Sequence, residues 1–236
     1  MPGMMEIYQK HSAEYDELVG CEDYEGNLPG FLNTELDFDG KTVVEFGCGT
    51  GRVTALIAER SSRLYCYDRS AHMLEAASEN LSRWADKIDF GICDNSDIAR
   101  LDVMADIVIQ GWSFGHLVSD AACSPLPVID KLVEDCRKLL NPGGHLVLIE
   151  TLGTNTEEPG PVNENHRLYF RRLEDEYGFV RNVLRTDYRF ESAAEARRIM
   201  GFFFGDEMGR ALDFEEGCKV REYTGVWIMK NDAGLP

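Results

Sequence analysis

Short β-branched apolar runs take turns along this chain with segments whose apolar residues recur every three or four positions. That alternation predicts strands and helices in sequence, the pattern of a sheet whose strands are joined by helical crossovers. The first strand ends at Phe46, and residues 63–68, 88–92 and 102–110 supply three more. A fifth follows the Pro-Gly-Gly turn at 142–144 and ends at Glu150. Residues 52–59 and 70–80 read as helices, the second with Ser70 as its N-cap. Ahead of the sheet, Ile7, His11, Tyr15 and Leu18 fall at the spacing of one amphipathic helix. Behind it, residues 151–161 read as a loop, while 165–174 and 179–190 alternate enough to predict two strands. Ser192 and Glu195 form a capping box for a helix reaching about Met200, and residues 225–230 form a closing strand.

Between the first strand and its helix stand three glycines at alternate positions, Gly47, Gly49 and Gly51. Bare backbone at a helix N-terminus lets a ligand approach closely. The spacing is not the dinucleotide fingerprint, because Arg52 occupies the place of its last small residue. What stands is Glu45-x-Gly-x-Gly-x-Gly.

The run Val-Val-Glu-Phe-Gly-Cys-Gly-Thr-Gly (43–51) resembles the first motif of the class I S-adenosylmethionine-dependent methyltransferases. The resemblance covers residues 43–150 and implies a Rossmann-like, seven-stranded, mostly parallel sheet flanked by helices. It also implies an N-terminal helical lid and a β insertion after the fifth strand. The organisation expected is a single methyltransferase domain spanning 1–236. Its parts are a lid (1–40), a cofactor-binding core (41–150), a substrate-side insertion (151–190) and a C-terminal helix and strand (191–236). Carried over residue by residue, Gly47, Cys48, Gly49, Gly51 and Arg52 pass under the methionine part of S-adenosyl-L-methionine, with Glu45 organising its amino end. Asp68 takes the ribose hydroxyls, next to Arg69, and Met73 lies near the adenosine. Asp94 and Asn95 meet the adenine, Gln110 stands past the fourth strand, and Tyr15 closes from the lid. S-adenosyl-L-homocysteine is the implied product.

Composition narrows the class. Forty-two acidic residues against 24 Lys and Arg give a formal charge of −18 over 236 residues, which repels polyphosphate and argues against a nucleic-acid substrate. Seven scattered cysteines show neither metal-ligand nor disulfide spacing, so no metal site is expected, and most are expected to be buried in a reducing cytoplasm. No leader pattern stands at residues 1–19 and no apolar run has membrane-spanning length, so no membrane partner is expected. A monomer or homodimer is anticipated.

Methyl transfer from a sulfonium is an in-line displacement, and a general base is needed only for an acceptor that arrives protonated. His116, past the end of the fourth strand, is the expected base, with His166 and Tyr169 as second choices. Tyr8, His11 and Trp112 are expected at the acceptor, together with His166, Tyr169 and Arg185. Arg181, Arg185 and Arg189 share a strand face suited either to an anionic acceptor group or to solvent, paired with Glu174, Asp175 and Glu176. No Asn-Pro-Pro-Tyr or Asp-Pro-Pro-Tyr follows the fourth strand, so methylation of nucleic-acid bases is not supported. The acidic pair of catechol-type enzymes and a carbon-methylating cysteine motif are also missing. These signals leave a metal-independent small-molecule N- or O-methyltransferase. A nicotinamide-dependent oxidoreductase, or a non-catalytic regulatory protein that binds the same cofactor, is the alternative.

Overall fold

The computed structural model describes residues 3–121 and 124–231. Five strands come first: β1 (Thr42–Phe46), β2 (Arg63–Asp68), β3 (Ile88–Ile92), β4 (Ala105–Gly111) and β5 (Leu140–Thr154). Then follow β6 (Val180–Arg185), the short β7 (Tyr188–Arg189) and β8 (Lys219–Val220), and β9 (Glu222–Lys230). Seven of them make one sheet in the order β3-β2-β1-β4-β5-β9-β6, with β9 antiparallel to both neighbours and the other pairs parallel. The strand order reverses between β1 and β4. The crossovers diverge there and leave a crevice at the strands' carboxyl ends.

Val43 to Phe46 are buried without alternation, because helices cover both faces of the sheet. Val44, Phe46, Val108, Leu146 and Leu148 join one core cluster, which also takes in α7 (Leu126–Lys138) and α8 (Glu164–Asp175). Val43, Ile107, Ile109, Val147 and Ile149 join the other, with α3 (Asn27–Glu35), α4 (Arg52–Ile57) and α5 (Ala71–Asn80).

Three sequence expectations are corrected. Residues 165–174 are not a strand but belong to α8, whose buried His166, Tyr169, Phe170 and Leu173 repeat at helical period. Asn163 caps it, its side-chain oxygen accepting from the His166 backbone N–H at 2.9 Å. Residues 180–185 are the edge strand of the main sheet rather than part of an insertion. The inserted pieces lie between β6 and β9: the β7–β8 ribbon, α9 (Ala193–Phe204) and α10 (Asp206–Ala211). The N-terminal segment is broken at His11 into α1 (Met4–Lys10) and α2 (Ser12–Cys21).

Leu18 of α2 packs with Tyr188, Ala196, Ile199, Met200 and Val220, so the N-terminal helices rest on the inserted ribbon and helix. The capping box at α9 forms, with Ser192 Oγ accepting from the Glu195 N–H at 3.1 Å. Its return bond goes to the Glu191 N–H rather than to that of Ser192. The six described cysteines are free, and Cys48, Cys66, Cys93 and Cys136 are buried; Cys123 lies outside the described residues. Among the described residues no helix is long and apolar enough to cross a membrane, and no cluster of His, Cys, Asp or Glu could hold a metal.

Candidate active site

All three loop glycines have positive φ, at +62°, +54° and +93°, but they do different jobs. A Cβ on Gly47 would sit 2.2 Å from the Ser113 Cβ, and one on Gly51 would sit 2.5 Å from a Leu81 methyl. Those two are glycine so that a loop and a helix can close. On Gly49 a Cβ would meet only Tyr15, at 3.7 Å from its hydroxyl. Gly49 is therefore the position whose bare face looks into the crevice. Its N–H donates to Asp68 Oδ2 at 2.9 Å, while Asp68 Oδ1 accepts from the Ser70 N–H at 2.8 Å. Burial raises the Asp68 pKa, and these bonds oppose the rise.

Glu45 points into the interior, where its carboxyl accepts from Thr54 Oγ1 at 2.6 Å and ties β1 to α4. Burial pushes its pKa up to about 8, so the group is largely protonated at neutral pH. Met73 is buried on α5 behind the Ser70 cap, whose Oγ accepts from the Met73 N–H at 3.3 Å. Beyond β3, Asp94 accepts from Ser96 N and Oγ at 2.9 and 2.7 Å, and Arg69 stands 3.8 Å from its other oxygen. Arg69, Ile92, Asp94, Asp97 and Arg100 line a cavity of about 480 Å³ at this edge, and Asn95 opens the turn that follows.

The N-terminal helices roof the crevice. Tyr15 lies over the glycine loop, with Tyr8 edge-on at 5.9 Å. The Tyr8 hydroxyl is 3.2 Å from His116 Nε2, and Ser70 Oγ donates to the Tyr8 carbonyl at 2.7 Å. Arg52 pairs with Glu22 at 2.8 Å, and its guanidinium lies 4.2 Å over the Trp112 ring. Trp112 itself adopts φ +52°, a strained choice for an aromatic residue and one that turns the chain sharply at the end of β4. The roof is braced from behind, with His11 edge-on to Phe202 at 5.4 Å and Tyr15 on Phe203 at 6.0 Å.

A buried carboxyl that sequence reasoning did not single out stands at the same crevice. Glu150, near the end of β5, accepts from Gln110 Nε2 and from the Gly115 N–H, both at 3.0 Å. Burial raises its pKa to about 7 against those bonds. Gln110 is fully buried, and its oxygen also accepts from Ser113 N, Ser113 Oγ and Phe114 N at 3.0–3.3 Å. Its amide therefore caps α6 (Phe114–Ser119) and fixes the turn that presents His116. The His116 ring keeps an exposed edge, yet burial of the rest lowers its pKa, so it is neutral at pH 7.

The structure thus brings together Tyr8, Tyr15, Gly49, Arg52, Asp68, Trp112 and His116, with His11 on the outer side of the roof. His166 lies beneath the site, its Nε2 3.2 Å from the Gly115 carbonyl, and Tyr169 is fully buried in the core. Arg185 is held elsewhere, in a two-pronged pair with Asp187 and within 3.4 Å of Glu215, acids other than those expected at 174–176. Arg181 does pair with Glu174.

Residues 44–146 match the family model of a methyltransferase domain. The chain is 35% identical over 124 residues to the highly reducing polyketide synthase azaB of Aspergillus niger, an alignment covering 46% of this chain and 5% of that protein. It is 30% identical over 152 residues to an uncharacterized methyltransferase of Geobacillus kaustophilus, covering 62% of this chain and 66% of the relative. Residues 44–146 belong to the class I S-adenosylmethionine-dependent methyltransferase family. Two solved structures share the fold of this methyltransferase at low identity. The 4+2 cyclase SpnF matches with TM-score 0.64 and 13% identity over 97% of this chain and 96% of its own. The precorrin-6y C5,15-methyltransferase of Geobacter metallireducens GS-15 matches with TM-score 0.51 and 14% identity over 85% and 88%. One is described as a cyclase, so the shared fold does not by itself assign a reaction.

The residues fit the family's cofactor. Gly49 offers a cradle that a Cβ would fill, Asp68 stands at its edge, and the Tyr8 and Tyr15 rings with the Glu150 carboxyl surround the crevice with groups suited to a sulfonium cation.

Proposed function

We propose that this methyltransferase moves a methyl group from S-adenosyl-L-methionine to nitrogen or oxygen of a small molecule, leaving S-adenosyl-L-homocysteine. The observation that carries it is the open face of Gly49, set between Asp68 and Tyr15, with His116 and Glu150 beside the same crevice. Gly49 and Arg52 would hold the amino-acid end of the cofactor, Asp68 its ribose, and Asp94 with Arg69 its base. When bound, the cofactor supplies an electrophilic methyl on a good neutral leaving group. The chain's own part is to align, to exclude water and to take a proton. Tyr8 and Tyr15 shield the crevice, and His116, neutral at pH 7, accepts a proton at Nε2 from an acceptor that displaces the Tyr8 hydroxyl. A small neutral or cationic acceptor suits a chain of charge −18.

A carbon acid is the second reading. It is favoured by the neutral base at His116 and by relatives of this segment that are named polyketide synthases. Calorimetry on the purified chain tests the first step. Binding of S-adenosyl-L-homocysteine, lost in Asp68→Ala and with no heat from NADH, is expected; NADH binding without the homocysteine derivative would overturn the reading in favour of an oxidoreductase.

A further inference from the structure

Beside the glycine loop, on the β5–β9 side, lies a second buried polar cluster that donor binding does not account for. Glu22, just after α2, and Glu222, the first residue of β9, both turn inward, with 5% of the Glu22 side chain and 2% of Glu222 exposed. One oxygen of each is taken. Glu22 Oε2 accepts from Arg52 at 2.8 Å, and Glu222 Oε1 accepts from Thr151 Oγ1 at 2.7 Å. The other two, Glu22 Oε1 and Glu222 Oε2, are buried and accept nothing. A buried carboxylate oxygen without a donor is costly and is rarely left so without a purpose.

With both carboxyls ionised, the charges of the cluster would not balance. Glu22 and Glu222 lie near enough to feel one another, and one guanidinium, that of Arg52, is near both. Burial and the proximity of Glu22 both raise the Glu222 pKa, and Arg52 opposes them. Neighbouring ions are already spoken for. Asp187 pairs with Arg185 and accepts from the Glu222 N–H, while Arg221 pairs with Asp213 and Glu215. Buried Tyr188 stands beside Glu22 and Glu222 and brings a phenol to the same space. Without a ligand Glu222 keeps its proton; ionising both carboxyls calls for one further cation and for donors to the two free oxygens. An alkylammonium carries one charge and three N–H donors.

We propose that Glu22 Oε1 and Glu222 Oε2 are the recognition site for an ammonium group on the methyl acceptor. This deepens the methyltransferase reading and rests on it. The same chemistry could come from the cofactor's own amino group. The placement favours the acceptor, because α2, β5, β7 and β9 frame the cluster and Arg52 alone joins it to the glycine loop.

Calorimetry with n-butylammonium chloride, on the free chain and on the chain saturated with S-adenosyl-L-homocysteine, tests the assignment, with n-butanol and KCl as controls. n-Butylammonium is expected to bind and the controls are not. Glu222→Gln is expected to weaken it by about tenfold to a hundredfold, the worth of a charged hydrogen bond, while homocysteine-derivative affinity is unchanged. Equal binding of n-butanol, or n-butylammonium binding unaltered in Glu222→Gln, would overturn the proposal. A matching loss of affinity for the homocysteine derivative would also overturn it, by assigning the cluster to the cofactor. If Glu222→Gln does not fold, Tyr188→Phe decides in its place, with a several-fold loss for n-butylammonium expected and no loss overturning the proposal. Failure of the wild-type chain to bind the homocysteine derivative would sink the methyltransferase reading alone, since the titration of the free chain still reports on the ammonium site.

Discussion

Glu45→Gln tests the interior electrostatics of the motif directly. The side chain is 1% exposed, its single strong partner is Thr54 Oγ1 at 2.6 Å, and burial lifts its pKa from 4.5 to about 8. A folded-state pKa above the unfolded one means the native chain keeps a proton that the unfolded chain has released. The associated stability is therefore full below about pH 4.5 and is lost as pH climbs through about 8. Within that window one such group lowers stability by about 1.4 kcal/mol per pH unit. Glutamine has the same shape, still accepts from Thr54 and does not ionise. Between about pH 5.5 and pH 7.5 the wild type should lose roughly 3 kcal/mol relative to the variant. Glu150, which is also raised, is common to both proteins and cancels in the difference. Urea denaturation at several pH values, without added ligand, measures the quantity. A wild-type-minus-variant difference that stays flat over the window would refute the picture of a neutral, desolvated Glu45.

The other expectations concern the loop and the base. Gly47→Ala should destabilise by about 2–4 kcal/mol, combining overpacking on Ser113 with a left-handed backbone, as read by chemical denaturation. Gly49→Ala should cost stability only about 1–2 kcal/mol, because nothing crowds the new methyl, yet it should abolish calorimetric binding of S-adenosyl-L-homocysteine. Once an acceptor is in hand, kcat/KM should fall on acidification only below the ordinary imidazole range, where His116, its pKa lowered by burial, takes a proton; His116→Ala should lose most of the rate and that acid limb together. Glu150→Ala should cost about 2–5 kcal/mol by stranding Gln110 Nε2 and the Gly115 N–H, visible as a lowered denaturation midpoint.

The sheet was legible because its first five strands each carry an unbroken or alternating apolar run ended by a glycine or an acid. Residues 165–174 misled because arginines interrupt the apolar positions and mimic a strand. The true period was present in 166, 169, 170 and 173, with Asn163 as its cap. The edge strand was mistaken for an insertion because Val180 and Val183 face solvent, so its pattern does not reveal which sheet it joins. At the site, Gly49, Asp68, Tyr15 and His116 were findable from motif order. Glu22, Glu150 and Glu222 were not, because nothing in an isolated glutamate distinguishes a desolvated carboxyl from a wet one in a chain with 42 acids. Their burial follows from strand and helix ends that meet only in three dimensions.

The brace between Tyr15 and Phe203 carries a consequence for biosynthesis. Tyr15 and Leu18 cannot settle on α9 until roughly 190 further residues have been made, a wait of roughly 10–40 s at usual elongation rates. Through that interval Tyr15 and Leu18 lack the α9 side chains they pack against. The roof of the cofactor cleft is thus completed only after α9 has emerged, although the cleft's glycines precede that helix in the chain.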